Sequence, residues 1–195
     1  MDILINTEIL ISTLQNVISV IDKSYSKPIL SNFMIKTLEN EGGQGMVEFS
    51  ATDYELSIIE RIPAEITTSG SVCINAKRVF DIAREFQAKE TRILSTEQLW
   101  VHISCGASEL RLPSVEVGLY PQPNIEELKQ NLKISTMDLA QCIDMTLFAS
   151  QTNEARRNLM GVALSITDEQ KTRWQATDGH RLAQVIQPVE EMNFG

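Results

Sequence analysis

Four consecutive residues late in the sequence carry side chains that occur together in catalytic sites. Asp178, Gly179, His180 and Arg181 place a carboxylate, an imidazole and a guanidinium within the stretch RWQATDGHRLAQV. An aspartate that orients a histidine is the acid/base part of a hydrolase site, which also needs a nucleophile that the fold brings to the histidine. A small hydrolase that uses Asp178 and His180 is therefore one hypothesis for the function.

The same stretch occurs a second time in a changed form. SATDYELSI aligns with QATDGHRLA at an offset of 125 positions (176 − 51). Asp53 matches Asp178, but Tyr54 and Glu55 stand where the second copy has Gly179 and His180. An aspartate at a strand end can hydrogen-bond its own backbone, and a glycine permits positive φ. The shared Thr-Asp pair is therefore predicted to form a turn, and the residues after it are predicted to form a structural or docking surface.

The duplication extends well beyond this turn. INTEILISTLQNVIS aligns with ISTMDLAQCIDMTLF at an offset of 129 positions (136 − 7), and ILSNFMI aligns with NLMGVAL at the same offset. The change of offset falls where the first copy carries NEGGQG, a turn-rich insertion. Weaker similarities lie inside the first copy, at offsets of 69 (75 − 6) and 54 (101 − 47). Each domain is therefore expected to contain two copies of a smaller unit.

The smaller unit is predicted to be a strand, a helix and three further strands. MDILI is a short strand, and Asn6 or Thr7 can cap the helix that follows. The helix is indicated by an apolar stripe formed by Leu10, Leu14, Val17 and Ile21. PILSNFMIKTL, GMVEFSATD and ELSIIERIPA alternate as strands do. The expected fold class is α+β, with helices on one face of antiparallel sheets.

Two domains and a linker are predicted. The first domain covers residues 1–121, and residues 122–131 form a linker within LPSVEVGLYPQPNIEELKQN, which contains three prolines. Residues 132–195 supply only the first half of a second domain, because the duplication predicts a further repeat. We therefore expect the sequence to be the N-terminal part of a longer one.

Composition argues against several classes of protein. The net charge of −9 disfavours a broadly basic nucleic-acid binder, and no apolar run approaches the roughly 18 residues needed to span a membrane. The three cysteines and two histidines, Cys73, Cys105, Cys142, His102 and His180, form no metal-ligand spacing. P-loop, dinucleotide and HExxH motifs are absent from the sequence. We expect a cytoplasmic protein with buried reduced thiols and without a cofactor, metal or membrane partner.

Two small groups of cations stand out from this acidic background. Lys77 and Arg84 are predicted to share a helix face with Arg78 beside them, although nearby acids also allow a plain solvated surface with ion pairs such as Lys77–Asp81. Arg156 and Arg157 form a second group in a loop, and Lys23 and Lys27 flank the matching loop of the first domain. Cations in corresponding loops suggest one side that faces a polyanion.

The order of KPILSN, ATDYEL, NAKRVFDI and ATDGHRLA resembles the bacterial DNA polymerase III beta subunit, the sliding-clamp family, over essentially all 195 residues. The resemblance implies a non-catalytic processivity factor with three such domains, which pairs head to tail into a ring around duplex DNA. An acidic body with weakly basic inner helices contacts phosphates without reading sequence. The residues that the resemblance places facing DNA are Lys23, Lys77, Arg78, Arg84, Arg156 and Arg157.

The resemblance also assigns TDGHRL to a pocket for linear peptide motifs of the replicative polymerase, the clamp loader and repair polymerases. The matching pocket positions are Leu159, Thr177, Gly179, His180, Arg181 and Leu182. The edge strand SELRLPS, with Leu110 and Leu112, is implied to form the interface of a homodimeric ring. A protein-binding module without a role on DNA is the alternative.

Overall fold

The chain forms two compact units, Met1–Asn124 and Ile125–Gly195. The computed structural model describes residues 1–21, 27–38, 45–96, 99–122, 132–167, 169, 171–188 and 191–192. Except for Gln122, the predicted linker lies outside the described residues, as do Lys23 and most of the NEGGQG insertion.

Unit 1 contains the strand–helix–three-strand repeat twice. The first repeat comprises β1 (Asp2–Asn6), α1 (Thr7–Ile18), β2 (Asn32–Leu38), β3 (Met46–Thr52) and β4 (Ser57–Pro63). A short strand, β5 (Glu65–Thr68), follows, and the alternation pattern did not predict it. The second repeat comprises β6 (Ser71–Asn75), α2 (Ala76–Ala83), β7 (Glu90–Thr96), β8 (Trp100–Cys105) and β9 (Ser108–Val115).

The two repeats of unit 1 exchange their first strands. β1 pairs with β7 of the second repeat, with Ile3 opposite Ile93. In the same way β6 pairs with β2 of the first repeat, with Ile74 opposite Phe33. The continuous antiparallel order is β4-β3-β2-β6-β9-β8-β7-β1-β5. Each three-strand meander therefore depends on the other repeat for a neighbouring strand.

The core of unit 1 lies between these strands and the two helices. Leu10, Leu14 and Val17 of α1 are almost fully buried, which confirms these members of the predicted apolar stripe, whereas Ile21 lies beyond the end of the helix and is partly buried against the same cluster. They belong to one cluster with Val79 and Ala83 of α2 and with inward-facing strand residues. Burial of such side chains contributes about 1.5–3 kcal/mol each, so the packing of both helices depends on the closed pair of meanders.

Each helix begins directly after a side chain that caps it. The Oδ1 atom of Asn6 accepts hydrogen bonds from two backbone N–H groups of α1 at 3.0 and 3.2 Å. Asn75 caps α2 and Ser135 caps the helix of unit 2 in the same way. Asn6 is therefore the cap, whereas Thr7 is buried and its hydroxyl lies 2.9 Å from that of Thr91.

Unit 2 contains the repeat once more among its described residues. Its elements are β10 (Leu132–Lys133), α3 (Thr136–Leu147), β11 (Ala163–Ile166), β12 (Lys171–Thr177), β13 (Leu182–Pro188) and β14 (Glu191–Met192). α3 occupies the same aligned positions as α1, while β12 and β13 occupy those of β3 and β4. The duplication read from the sequence is therefore confirmed as a structural repeat.

Two 3-10 segments depart from the predicted strands. Pro28–Ser31 is a 3-10 turn before β2, because Pro28 fixes its own φ and lacks the N–H that a strand would donate. Glu154–Leu159 forms the corresponding 3-10 segment of unit 2.

Among the described residues no helix is long and apolar enough to cross a membrane.

Tyr120 links the strands β2 and β3 of unit 1. Its buried hydroxyl donates to the carbonyl of Asn32 at 3.1 Å and accepts from the backbone N–H of Thr52 at 3.3 Å, and burial raises the pKa of Tyr120 to about 12. We expect Tyr120→Phe to lower the free energy of unfolding by about 1 kcal/mol in urea titrations, because two buried backbone groups lose their partner. Tyr54→Phe, at an exposed tyrosine, is the control. Equal effects of both substitutions would contradict this expectation.

Candidate partner-docking turn and cationic surfaces

The turn between β12 and β13, Thr177–Leu182, is held by its own side chains. The Thr177 hydroxyl accepts from the backbone N–H of Gly179 at 3.1 Å and donates to the carbonyl of Arg181 at 2.6 Å. The Oδ1 atom of Asp178 accepts from the backbone N–H groups of His180 and Arg181 at 2.9 and 3.0 Å. The Thr-Asp pair therefore organises the turn.

The turn between β3 and β4 has the same hydrogen bonds. The Thr52 hydroxyl accepts from the N–H of Tyr54 at 3.1 Å and donates to the carbonyl of Leu56 at 2.8 Å. Asp53 accepts from the N–H groups of Glu55 and Leu56 at 2.9 and 2.6 Å. The predicted structural role of the Thr-Asp pair is confirmed, because the pair makes the same hydrogen bonds in both turns although the residues that follow it differ.

The third residue of each turn has a positive φ and lies beside a cation. Gly179 has φ 91°, and a Cβ atom added there would lie 3.3 Å from Nη1 of Arg156. Tyr54 adopts φ 77° although it is not a glycine, and Nζ of Lys27 lies 4.3 Å from its ring centroid. Lys27 and Arg156 are equivalent at the offset of 129 (156 − 27). A tyrosine side chain thus occupies in unit 1 the position where unit 2 has a glycine that the Arg156 guanidinium approaches closely.

Asp178 is engaged by its own loop and not by the imidazole of His180. Hydrogen bonds from the backbone N–H groups of His180 and Arg181 lower the pKa of the Asp178 carboxyl, and the Arg181 guanidinium, with Nε 3.0 Å from Oδ2, adds to this effect. Within the described residues, no hydrogen bond joins the Asp178 carboxylate to the His180 ring. This geometry speaks against the hydrolase hypothesis.

The remaining predicted pocket residues differ in their exposure. Leu182 is 62% exposed, and the Arg181 guanidinium lies 5.8 Å from the ring centroid of Phe148, which is equally exposed. Leu159 and Thr177 are half-buried. Phe148 was missed from the sequence, where it is only one more apolar residue after α3. The turn, Phe148 and Arg156 together can receive a ligand that has both apolar and acidic groups.

Two of the six predicted DNA-facing cations lie on α2, and a third follows it directly. Lys77 and Arg78 are exposed and make no ion pair with any described residue, so the alternative Lys77–Asp81 pair does not form. Arg84 follows the last helical residue, and its Nε lies 3.4 Å from a carboxylate oxygen of Glu85. α1 contains no cation and α3 contains two aspartates and no cation, so among the three described α-helices only α2 carries positive charge.

The residues of the second predicted cationic group lie in different environments. Arg156 lies beside the Thr177–Leu182 turn, because its Nη1 atom is 3.3 Å from the position of a Cβ atom added at Gly179. Arg157 is exposed in the same 3-10 segment. Lys23 lies outside the described residues. The structure therefore brings Arg156 to the predicted peptide site, a proximity that the spacing of 23 positions (179 − 156) gave no reason to expect.

The predicted interface strand is open on one side. Ser108–Pro113 of β9 pairs with β8, and only Ser114 and Val115 pair with β6. Leu110 is half-buried and lines a surface cavity of about 500 Å³. Leu112 is 7% exposed and belongs to the core of unit 1, so Leu110 is the one of the two that a neighbouring chain can reach.

No group of three or more potential metal-ligating side chains occurs in the part of the chain that the structure describes. All three cysteines are buried as free thiols. Burial raises the pKa of the Cys73 thiol to about 12 and also raises the pKa of Cys142. The thiols of Cys73 and Cys142 are therefore poor nucleophiles in the folded chain.

The repeats define an α+β protein of duplicated strand–helix–meander units whose equivalent Thr-Asp turns carry different residues in the two units. Family models for the N-terminal and central domains of the DNA polymerase III beta subunit match residues 1–126 and 133–194. The chain therefore belongs to the DNA polymerase III beta subunit family.

Individual relatives agree with this assignment. The beta sliding clamp of Caulobacter vibrioides is 32% identical over 200 residues, which cover 100% of this chain and 52% of that protein. The solved structure of Caulobacter crescentus pol III beta matches with a TM-score of 0.85 at 30% identity, covering 97% of this chain and 50% of the other. A Bartonella birtlesii sliding clamp bound to griselimycin matches with a TM-score of 0.84 at 29% identity, covering 98% and 51%. The chain spans about half the length of the relatives it matches.

The ionisation of Asp178 provides a direct check on the turn. Its carboxyl is expected to titrate below the ordinary aspartate range in the folded chain and higher in the urea-unfolded chain, measured by carboxyl-carbon NMR. The stabilisation is then present above the unfolded-state pKa and is lost as the pH falls through the folded-state pKa. Arg181→Ala should leave most of the shift, because the backbone N–H groups are its largest cause. An unshifted carboxyl in the folded wild type would contradict the geometry.

Proposed function

We propose that the chain is part of a sliding clamp, a non-catalytic processivity factor that holds the replicative polymerase on duplex DNA. Membership of the beta subunit family supports this function. The single structural observation that carries it is the pair of twin turns. The same hydrogen bonds from a Thr-Asp pair enclose Tyr54 and Glu55 in unit 1. In unit 2 they enclose Gly179 and His180. A docking site that is present in only one unit requires different side chains on turns of the same backbone structure, and the two turns meet this requirement.

The proposed contact with DNA is made by α2 and is independent of sequence. Lys77 and Arg78 are free of described acidic partners, and the chain as a whole has a net charge of −9. A small cationic surface on an acidic body attracts phosphates weakly and without base contacts. Such contact permits sliding, whereas retention on DNA comes from a closed ring. The predicted roles of Arg84, Arg156, Arg157 and Lys23 on DNA belong to this proposal.

The proposed partners dock as short peptides at the turn of unit 2. Replicative polymerase, clamp loader and repair polymerases would share one site formed by Thr177–Leu182, Leu159 and the exposed ring of Phe148. Exposed apolar side chains with convergent polar groups are typical of peptide-binding surfaces. Ring closure into a homodimer would use the open side of β9, with Leu110 as the accessible apolar contact.

Griselimycin, the ligand of the Bartonella birtlesii clamp, is a suitable probe of the proposed docking turn. Titration into the labelled chain should shift the backbone amide NMR signals of Thr177–Leu182 and leave those of Thr52–Leu56 in place. His180→Ala should weaken binding about tenfold, the effect of losing roughly 1.4 kcal/mol of contact energy. Glu55→Ala, at the equivalent position of the twin turn, is the control. Shifts confined to unit 1, or no binding by the wild type, would overturn the assignment.

The DNA role is tested by charge reversal on α2. Lys77→Glu/Arg78→Glu should weaken binding to a duplex of arbitrary sequence and reduce the slope of log affinity against log salt by about 1.8, at roughly 0.9 per lost phosphate contact. Acids in the first turn of a helix are favourable, so the variant should fold. Lys36→Glu/Arg111→Glu changes two exposed strand cations by the same charge and is the control. Equal losses in both variants would favour a protein-binding module without a DNA role.

A further inference from the structure

The two carboxylate oxygens of Asp178 hold different parts of the chain. Oδ1 accepts hydrogen bonds from the backbone N–H groups of His180 and Arg181 at 2.9 and 3.0 Å, and these bonds shape the backbone of the turn. Oδ2 accepts from the Nε atom of Arg181 at 3.0 Å, a contact that the backbone of the turn does not need. Asp178 therefore ties down the Arg181 side chain in addition to the turn.

The Arg181 guanidinium lies between this carboxylate and an aromatic ring. It is 5.8 Å from the ring centroid of Phe148, within the roughly 6 Å over which a cation and a ring attract each other. Phe148 follows the last residue of α3, so the contact links the turn to the end of that helix. The Arg181 side chain is 59% exposed, whereas that of Asp178 is 19% exposed. An arginine so exposed has many rotamers open to it, and the Asp178 carboxylate restricts that choice.

The equivalent aspartate of unit 1 has only the first of these two roles. Asp53 accepts from two backbone N–H groups of its own turn at 2.9 and 2.6 Å, as Asp178 does. The position equivalent to Arg181 is Leu56 (181 − 125), whose side chain cannot donate a hydrogen bond. The position equivalent to Phe148 is Ser19 (148 − 129), which offers no ring. The contact from carboxylate to guanidinium to ring therefore belongs to unit 2 alone.

We propose that Asp178 is a positioning residue for partner docking, which acts by fixing the Arg181 guanidinium beside the ring of Phe148. This inference rests on the proposed docking function of the Thr177–Leu182 turn. Because Asp178 balances the charge of Arg181, this arginine contributes a fixed planar surface for an apolar group of the ligand. The free positive charge at the turn is that of Arg156, which forms no ion pair with any described residue.

A fixed side chain favours binding because less conformational freedom is lost when the partner arrives. The contribution of Asp178 to affinity therefore depends on the Arg181 guanidinium, beyond the support that Asp178 gives to the backbone. Removal of the guanidinium should abolish that contribution. This dependence separates a positioning role from a role in the turn alone.

Griselimycin binding to the 195-residue chain, measured by isothermal titration calorimetry, tests the first part of the proposal. Asp178→Asn keeps an oxygen that can accept the two backbone hydrogen bonds, but it removes the charge that holds Arg181. We expect it to weaken binding about fivefold, the upper range for an exposed ion pair. Asp53→Asn makes the same change in the turn of unit 1 and is the matched control, with unchanged affinity.

A double-mutant cycle tests whether Asp178 acts through Arg181. Arg181→Met removes the guanidinium and keeps an apolar stem. In that background Asp178→Asn should have no further effect on affinity, because the group that it positions is already gone. An equal loss in both backgrounds would show that Asp178 only supports the turn, and would overturn the positioning role.

The mobility of the Arg181 side chain provides a measurement on the wild type that remains decisive if Asp178→Asn fails to fold. NMR relaxation of the Arg181 Nε–H group should report an ordered side chain, in contrast to the exposed Arg157. An Arg181 as mobile as Arg157 would overturn the proposal. Wild-type affinity in the Asp178→Asn variant would overturn this inference alone, whereas a wild type that does not bind griselimycin would overturn the proposed docking function and this inference with it.

Discussion

β1 and β6 each complete a sheet whose other strands belong to the opposite repeat, so neither repeat of unit 1 can close its core alone. The exchange holds α1 and α2 side by side over one cluster of buried side chains. It thereby places Lys77 and Arg78 on the helix surface, and it leaves β9, the middle strand of the order, paired with β6 only at Ser114 and Val115. The cationic surface and the open edge are both consequences of the same strand pairing.

The two Thr-Asp turns have the same hydrogen bonds but carry different side chains. Thr and Asp side chains satisfy the turn backbone in both units, so the residues between their hydrogen bonds are free to change. In unit 1 the ring of Tyr54 lies beside the Lys27 ammonium, whereas in unit 2 the Arg156 guanidinium lies close to the backbone of Gly179. The acid, histidine and arginine that suggested catalysis are thus a structural aspartate and two exposed side chains available to a partner.

Local features were predictable from the sequence, and non-local ones were not. The helix caps, the apolar stripe of α1 and the Thr-Asp turn follow from short-range patterns, and the repeat offsets located α3, β12 and β13 correctly. The strand exchange could not be read from periodicity, because alternation indicates a strand without naming its neighbour. The approach of Arg156 to Gly179 and the burial of Leu112 depend on such long-range packing, as does β5, which is too short for a clear pattern.

Native-state hydrogen exchange tests most directly whether the strand exchange makes unit 1 a single cooperative body. Amides of β1 and β6 should exchange with the same free energy of opening as those of β2 and β7, because removing either exchanged strand opens both meanders. Exchange of β1 or β6 well before β2 and β7 would show that the repeats fold separately, and would contradict the dependence of each repeat on the other.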